Sequence, residues 1–177
     1  EITKFSNPTG TLNSYYKGQK IGEIWGLTSD GLYKSDEEAQ KGPDQTEILI
    51  APSQYPTVAG SLKYKDLNND GKITRGKYTL DDHGDLTVIG NDQIRYRFGA
   101  TFAANWSGFD ISAFFQGVMK HNYYPTASDK IFWGKYSAPW FDQLEGHYFD
   151  RWKEDNPNLD AYWPVLSHRN ASTADRE

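Results

Sequence analysis

The stretch that decides the fold is RYRFGATFAANWSGFDISAFFQGVM, residues 95–119. Apolar and more polar side chains alternate in two runs, which is the two-residue period of a β-strand. Ser107 and Gly108 separate the runs and predict a short turn between two strands. The apolar positions are Tyr96, Phe98, Ala100, Phe102, Ala104 and Trp106 in the first run, and Ile111, Ala113, Phe115, Gly117 and Met119 in the second.

This hairpin fits two environments. Each run has about the 9 to 11 residues that a tilted strand needs to cross a bilayer, and aromatic residues lie toward the ends, as in the girdles of outer-membrane barrels. An amphipathic hairpin that covers a soluble core has the same alternation, because barrel strands give only a weak signal per segment. The alternation therefore predicts strands and leaves open whether lipid or protein covers their apolar face.

The composition narrows the class of protein. The 177 residues carry a formal net charge of −5 with scattered Lys and Arg, so no nucleic-acid partner is expected. Aromatic residues make up 15% of the chain, and they suit interfaces, sugar platforms and membrane girdles better than dry cores. The sequence has no apolar run long enough for a transmembrane helix and no cysteine. Because Glu1 does not open a signal-peptide pattern, we expect a removed leader or an internal piece of a longer protein.

Residues 66–74, DLNNDGKIT, form the strongest chemical motif. Oxygen ligands at positions 1, 3 and 5, a glycine at position 6 and a backbone carbonyl at position 7 are what a calcium loop of the EF-hand type requires. Lys77 replaces the bidentate acid at position 12, so a helix-loop-helix site is not expected, although a later acid could fold back to replace it. The candidate calcium ligands are Asp66, Asn68, Asp70, Lys72, Asp82 and Asp85.

A turn without metal explains the same motif. Asn69, Asp70 and Gly71 are common turn residues, and the side chains of Asn and Asp bond to nearby backbone amides. The motif thus predicts a tight polar turn and leaves bound calcium as an open alternative.

Short helices are expected on both sides of the hairpin. Ser35 and Glu38 form a capping box, which predicts a short helix that ends before Gly42 and Pro43. A second helix is expected from Ser137 to Trp152, with near-helical spacing of Phe141, Leu144, Tyr148 and Trp152.

The aromatic and acidic side chains of this tail suggest two functional roles, sugar stacking and glycosidase catalysis. The aromatic stripe fits packing better than a ligand platform, although Trp133, Trp140, Trp152 and Trp163 leave stacking against sugars open. The tail also contains several acids, but nothing sets two of them at the separation that a glycosidase requires, and no nucleophile motif is found. The sequence therefore predicts no enzyme.

Several blocks of sequence have an order and spacing that are more specific than any single block. They are GEIWG (22–26), SDGLYKSDEEA (29–39), KYKDLNNDGKIT (63–74), TLDD (79–82), VIGN (88–91), RYRFG (95–99), WSGFD (106–110), SAFFQGV (112–118) and YFDRW (148–152). In this order they resemble SusC/RagA-type TonB-dependent transporters. Proteins of that family are several times longer than this chain, which resembles a fragment near their C-terminal end.

The resemblance implies a mainly β fold that is part of a large antiparallel transmembrane β-barrel. Residues 95–120 would be one transmembrane hairpin, with its short turn in the periplasm. Residues 1–94 would be a strand end and a long extracellular loop that contains the DxNxDG segment, and residues 121–177 an extracellular loop with a short helix.

The resemblance also implies a function in the outer membrane of a Bacteroidetes-like cell. Family members import oligosaccharides or peptides with a SusD-like surface lipoprotein, and TonB supplies energy through parts of the protein outside these residues. Calcium would stiffen an extracellular loop, outer-membrane lipid would surround the hairpin, and no catalytic step is implied. The alternative from the residues alone is a soluble calcium-dependent carbohydrate-binding module; in either case the residues that contact the ligand are not identified.

Overall fold

The chain is mainly β, with antiparallel strand pairs and a few short helices. The computed structural model describes residues 1–49, 56–126, 129–136 and 144–166. The strands are β1 (Glu23–Gly26), β2 (Ser29–Leu32), β3 (Leu62–Tyr64), β4 (Thr87–Asn91), β5 (Tyr96–Trp106) and β6 (Phe109–Met119). The helices are α1 (Asp36–Lys41), α2 (Lys130–Trp133) and α3 (Glu145–Phe149), with 3-10 turns at Thr46–Ile48 and Gly134–Tyr136.

Strand pairing divides the described strands into three antiparallel pairs. Strand β1 pairs with β4, β2 with β3, and β5 with β6. The first two pairs are short and irregular, whereas the third pairs along its full length. Within the described ranges, no helix is long and apolar enough to cross a membrane.

Helix α1 begins where the capping box predicts. The Ser35 hydroxyl accepts a hydrogen bond from the backbone N–H of Glu38 at 3.2 Å, and the Glu38 carboxylate accepts one from the N–H of Lys34 at 2.8 Å. At the other end, the N–H of Gly42 donates to the carbonyl of Glu38 at 2.9 Å. The predicted start and end are confirmed: the Ser35 hydroxyl satisfies an amide group of the first turn, and the Gly42 amide bonds back to the last turn.

Helix α3 is shorter than the aromatic spacing predicts. It ends at Phe149 instead of Trp152, and residues 137–143, which include the predicted start and Phe141, lie outside the described residues. The backbone leaves the helix at Asp150 because the following residues pair with a distant segment. Trp152 donates its N–H to the carbonyl of Trp163 at 2.9 Å, and Trp163 donates to the carbonyl of Asp150 at 3.1 Å.

The main core lies under the loops that precede the hairpin. Tyr16 brings a hydroxyl into this core, where it donates to Glu23 at 2.7 Å and accepts from the indole N–H of Trp25 at 3.2 Å. The pairing removes the cost of burying a free polar group. The buried members of the core are Leu12, Tyr16, Leu27, Ile48, Tyr64, Ile73 and Leu86.

A second core is aromatic and contains a histidine. Trp133, Tyr136 and Trp163 form this cluster, and the ring of His147 lies 4.0 Å from that of Trp163 and is 1% exposed. Burial lowers the pKa of His147, and a hydrogen bond to the backbone of Phe132 partly opposes that shift. The cluster therefore favours the neutral imidazole.

We expect acid to loosen this aromatic core. The pKa of His147 is lower in the folded state than in the unfolded state, so unfolding takes up a proton, and local stability falls as the pH drops below about 6.5. Hydrogen exchange of α3 at neutral and acidic pH measures the effect. His147→Phe should abolish the pH dependence, whereas His121→Gln, at an exposed histidine, should preserve it. Equal pH dependence in the native protein and in His147→Phe would contradict the assignment.

Candidate functional site

The candidate functional site is the long hairpin of β5 and β6. Its register runs without a bulge from the pair of Tyr96 with Met119 to the turn. Ser107 and Gly108 form the turn with φ values of 49° and 86°. Two successive positive φ values define the type I′ turn, whose twist matches that of the flanking strands. This turn sets every cross-strand pair of the hairpin.

One face of the hairpin is apolar along its whole length. Bulky residues lie opposite small ones: Phe98 faces Gly117, and Phe102 faces Ala113. A Cβ atom at Gly117 would lie 2.6 Å from the Phe98 ring, so the ring fills that space. Phe102 is 63% exposed and Trp106 78% exposed, so the described part of the chain leaves this face largely uncovered. The pairs on this face are 96–119, 98–117, 100–115, 102–113, 104–111 and 106–109.

The opposite face carries the polar groups. Near the turn, the side-chain amide of Asn105 donates to the Asp110 carboxylate. Phe114 and Val118 are the large apolar side chains on this face. The pairs here are 97–118, 99–116, 101–114, 103–112 and 105–110. The hairpin thus separates an apolar surface from a mainly polar one.

Two asparagines connect the open end of the hairpin to the preceding loops. Asn122 accepts the backbone N–H of Asn91 through Oδ1 at 3.2 Å and donates its own N–H to the Asn91 carbonyl at 3.1 Å. The side chain of Asn91 donates to the carbonyl of Ile21 at 2.9 Å. Sequence reasoning missed this connection, because a single asparagine beyond a strand is indistinguishable from an ordinary turn residue.

The acidic turn, residues 66–74, folds around its own backbone amides. The Asp66 carboxylate accepts the N–H groups of Asp70 at 3.3 Å and Gly71 at 2.8 Å. Asn68 Oδ1 accepts from Asp70 at 3.0 Å, and Asp70 Oδ1 accepts from Lys72 at 2.8 Å. Three predicted ligands therefore lie on one turn, with the Lys72 backbone beside them, which is the arrangement expected of an Asx-rich turn.

The two later candidate ligands have different positions. Asp85 is fully buried, and its two oxygens accept the N–H groups of Leu67 and Thr74, each at 2.8 Å. Asp82 forms an ion pair with Lys77 at 3.5 Å. Asp85 thus joins both ends of the acidic turn, while Asp82 pairs with the lysine at position 12.

The side chains of this region do not converge into an acid-rich metal cluster among the described residues. In the described ranges, no group of three or more His, Cys, Asp or Glu side chains is arranged to hold a metal ion. The turn itself supplies two carboxylates and one amide oxygen, so it contains fewer than three acidic side chains. Calcium at this turn stays a prediction.

Three of the four tryptophans that are candidates for sugar stacking are buried in the protein. Trp133, Trp152 and Trp163 are 6%, 6% and 8% exposed, and Trp140 lies outside the described residues. Trp152 packs over Gly60, where a Cβ atom would lie 2.3 Å from the indole. These three side chains therefore act as core residues.

Comparison with known proteins relates the chain to a TonB-dependent receptor. It is 25% identical over 143 residues to the TonB-dependent receptor P26 of Formosa agariphila. The match covers 81% of this chain and 12% of that protein. No family model matches the chain.

We expect Asp85→Asn to loosen the acidic turn. The amide keeps one acceptor oxygen but places an NH2 group against a backbone N–H, a loss of about 1–3 kcal/mol in local stability. Hydrogen exchange at Leu67 and Thr74 should accelerate. Asp81→Asn removes the same charge at an exposed site and is the matched control. Unchanged exchange in Asp85→Asn would exclude this role for the buried carboxylate.

Proposed function

We propose that this chain is part of a SusC/RagA-type TonB-dependent transporter in the outer membrane. In this proposal, β5 and β6 cross the bilayer with the apolar face on lipid and the polar face toward the barrel interior. The observation that carries the proposal is the continuous apolar face, which the described chain leaves exposed. An uncovered patch of this extent on a water-soluble domain favours aggregation, whereas lipid is its natural cover.

The dimensions of the hairpin support a membrane position. Each strand has 11 residues. At about 3.4 Å per residue the strand is about 37 Å long, and a tilt of about 45° leaves roughly 26 Å along the membrane normal. The apolar band of outer-membrane barrels is about 25 Å tall.

The connections of the hairpin support its orientation. Short periplasmic turns and long extracellular loops are the rule for such barrels. The two-residue turn at Ser107 and Gly108 would then be periplasmic, and the loops with α1, α3 and the acidic turn extracellular. Because open strand edges are not tolerated in lipid, the outer edges of β5 and β6 must pair with further strands of the barrel.

The partners follow from the same proposal. The imported substrate is an oligosaccharide or a peptide, a SusD-like lipoprotein covers the extracellular loops, and TonB supplies energy through other parts of the protein. The residues described here have a structural and binding role in transport, with no catalytic step. The relation to the Formosa agariphila receptor supports the receptor part of this proposal.

Two arginine substitutions test the lipid-facing assignment. Phe102→Arg places a charge near mid-strand on the apolar face, and Thr101→Arg places the same charge on the neighbouring polar face. In the full-length protein folded into lipid vesicles, Phe102→Arg should lose about 2–4 kcal/mol of folding free energy and Thr101→Arg much less. Denaturant titration measures both. Equal losses would contradict the assignment of faces.

Uptake experiments test transport itself. Cells that lack the full-length gene should lose uptake of at least one labelled oligosaccharide or peptide, and restoring the gene should recover it. Unchanged uptake of every compound tried would contradict import. A soluble carbohydrate-binding module would instead bind sugar without any membrane.

We also propose that the acidic turn binds calcium. The side-chain oxygens of Asp66, Asn68 and Asp70 and the carbonyl of Lys72 would hold the ion. These groups fit it, because hard oxygen ligands are gathered on one tight turn and each acid keeps lone pairs beyond its amide contacts. Asp82 fits poorly because it pairs with Lys77, and the Asp85 carboxylate supports the turn by accepting backbone N–H groups. Bound calcium would stiffen the loop.

Calorimetric titration with calcium tests this site. Extracellular calcium modules bind with dissociation constants of about 0.1–1 mM, and we expect a value in that range. Asp66→Asn combined with Asp70→Asn should abolish the binding heat, whereas the exposed control Asp81→Asn should keep it. No calcium binding by the native protein, or equal binding by all three, would overturn the assignment.

A further inference from the structure

A small cleft at the open end of the hairpin gathers positive charge. It has a volume of about 250 Å³ and lies between β4 and the residues that flank β5 and β6. Lys20, Arg95 and Lys120 line it, with Glu23 as the acid and Asn122 as a neutral hydrogen-bonding group. Three cationic residues and one acidic residue therefore line the cleft, although the chain as a whole has a net charge of −5.

The cations of this cleft form no ion pair with an acid in the part of the chain that the structure describes. None of the ion pairs found among the described residues involves Lys20, Arg95 or Lys120. Glu23 already accepts the Tyr16 hydroxyl at 2.7 Å through one oxygen and the backbone N–H of Lys20 at 2.9 Å through the other. The cleft therefore has a net excess of cationic over acidic lining residues.

The cleft is held in shape by the backbone around it. Asn122 and Asn91 exchange two hydrogen bonds on one wall. A Cβ atom at Gly90 would lie 3.1 Å from the Asn122 side chain, so glycine permits this close approach. Lys120 has a φ of 50°, an uncommon value for a lysine, as the chain leaves β6.

The position of the cleft relates it to the polar face of the hairpin. Arg95 directly precedes β5, and the two-residue period places it on the same face as Arg97. Lys120 directly follows β6, at the same end of the hairpin as Arg95. Arg95 therefore continues the polar face at the end away from the turn, and Lys120 lies at that same end.

We infer that this cleft binds an anionic group of an incoming ligand, a carboxylate or sulfate on an acidic oligosaccharide. The inference rests on the proposed function, under which this end of the polar face lies at the extracellular mouth of the barrel. The volume suits one charged group with part of a sugar ring, and Arg and Lys make strong charge-assisted hydrogen bonds to such groups. A positive mouth on a negatively charged chain also raises the local concentration of anionic ligands.

Calorimetry on the full-length protein in detergent tests the cleft without requiring transport. The probes are oligogalacturonate, a sulfated galactan oligosaccharide and a neutral galacto-oligosaccharide of matched length. At least one acidic probe should bind more tightly than the neutral one, and salt should weaken the difference. Lys20→Gln combined with Lys120→Asn should weaken acidic binding about tenfold or more. Asparagine is chosen at 120 because it tolerates a positive φ.

Control variants distinguish a failure of the anion site from a failure of the proposed transport function. Lys17→Gln removes the same charge from an exposed lysine outside the cleft and should leave binding unchanged. Equal affinity for acidic and neutral probes, or binding unaffected by the cleft variants, would overturn the anion site even if the protein imports neutral substrates. Selective binding that the cleft variants abolish supports the site, and uptake assays judge transport independently.

Discussion

The pairing of β5 with β6 through a two-residue turn is the interaction on which the rest depends. Side chains alternate with a period of two, so a slip of one residue would mix the apolar and polar faces. The positive φ values of Ser107 and Gly108 hold the register that opposes Phe98 to Gly117. This register combines two alternating sequences into one continuous apolar surface. The need to cover that surface leads to the membrane proposal.

The loops before the hairpin are organised by buried polar groups as much as by apolar packing. Asp85 joins two ends of the acidic turn by accepting backbone N–H groups. Asn91 joins β4 to Ile21 through its side chain and to Asn122, three residues after β6, through its backbone. Both side chains are buried and hydrogen-bonded to the backbone. Each therefore holds the irregular backbone around it in a single arrangement. Long loops with short strands need such contacts because little secondary structure satisfies their backbone groups.

The sequence predicts a structural element correctly where contacts between near neighbours along the chain determine that element. The two long strands, the turn between them, the capping box of α1 and the polar turn of residues 66–74 all depend on contacts within a few residues. The long helix predicted up to Trp152 is wrong at its end, because Trp163 captures the backbone after Asp150. The buried role of Asp85 was also missed, since its partners lie 11 and 18 residues away.

The sequence by itself determined the alternation of β5 and β6 and the oxygen-rich turn at Asp66, because both depend on side-chain periodicity and local backbone preference. Only the tertiary structure decided which residues meet across the chain. Lys20, Arg95 and Lys120 are far apart in sequence and line one cleft because β1 pairs with β4 and Asn122 bonds to Asn91. Such convergence comes from long-range hydrogen bonds, which leave no periodic signal in the chain.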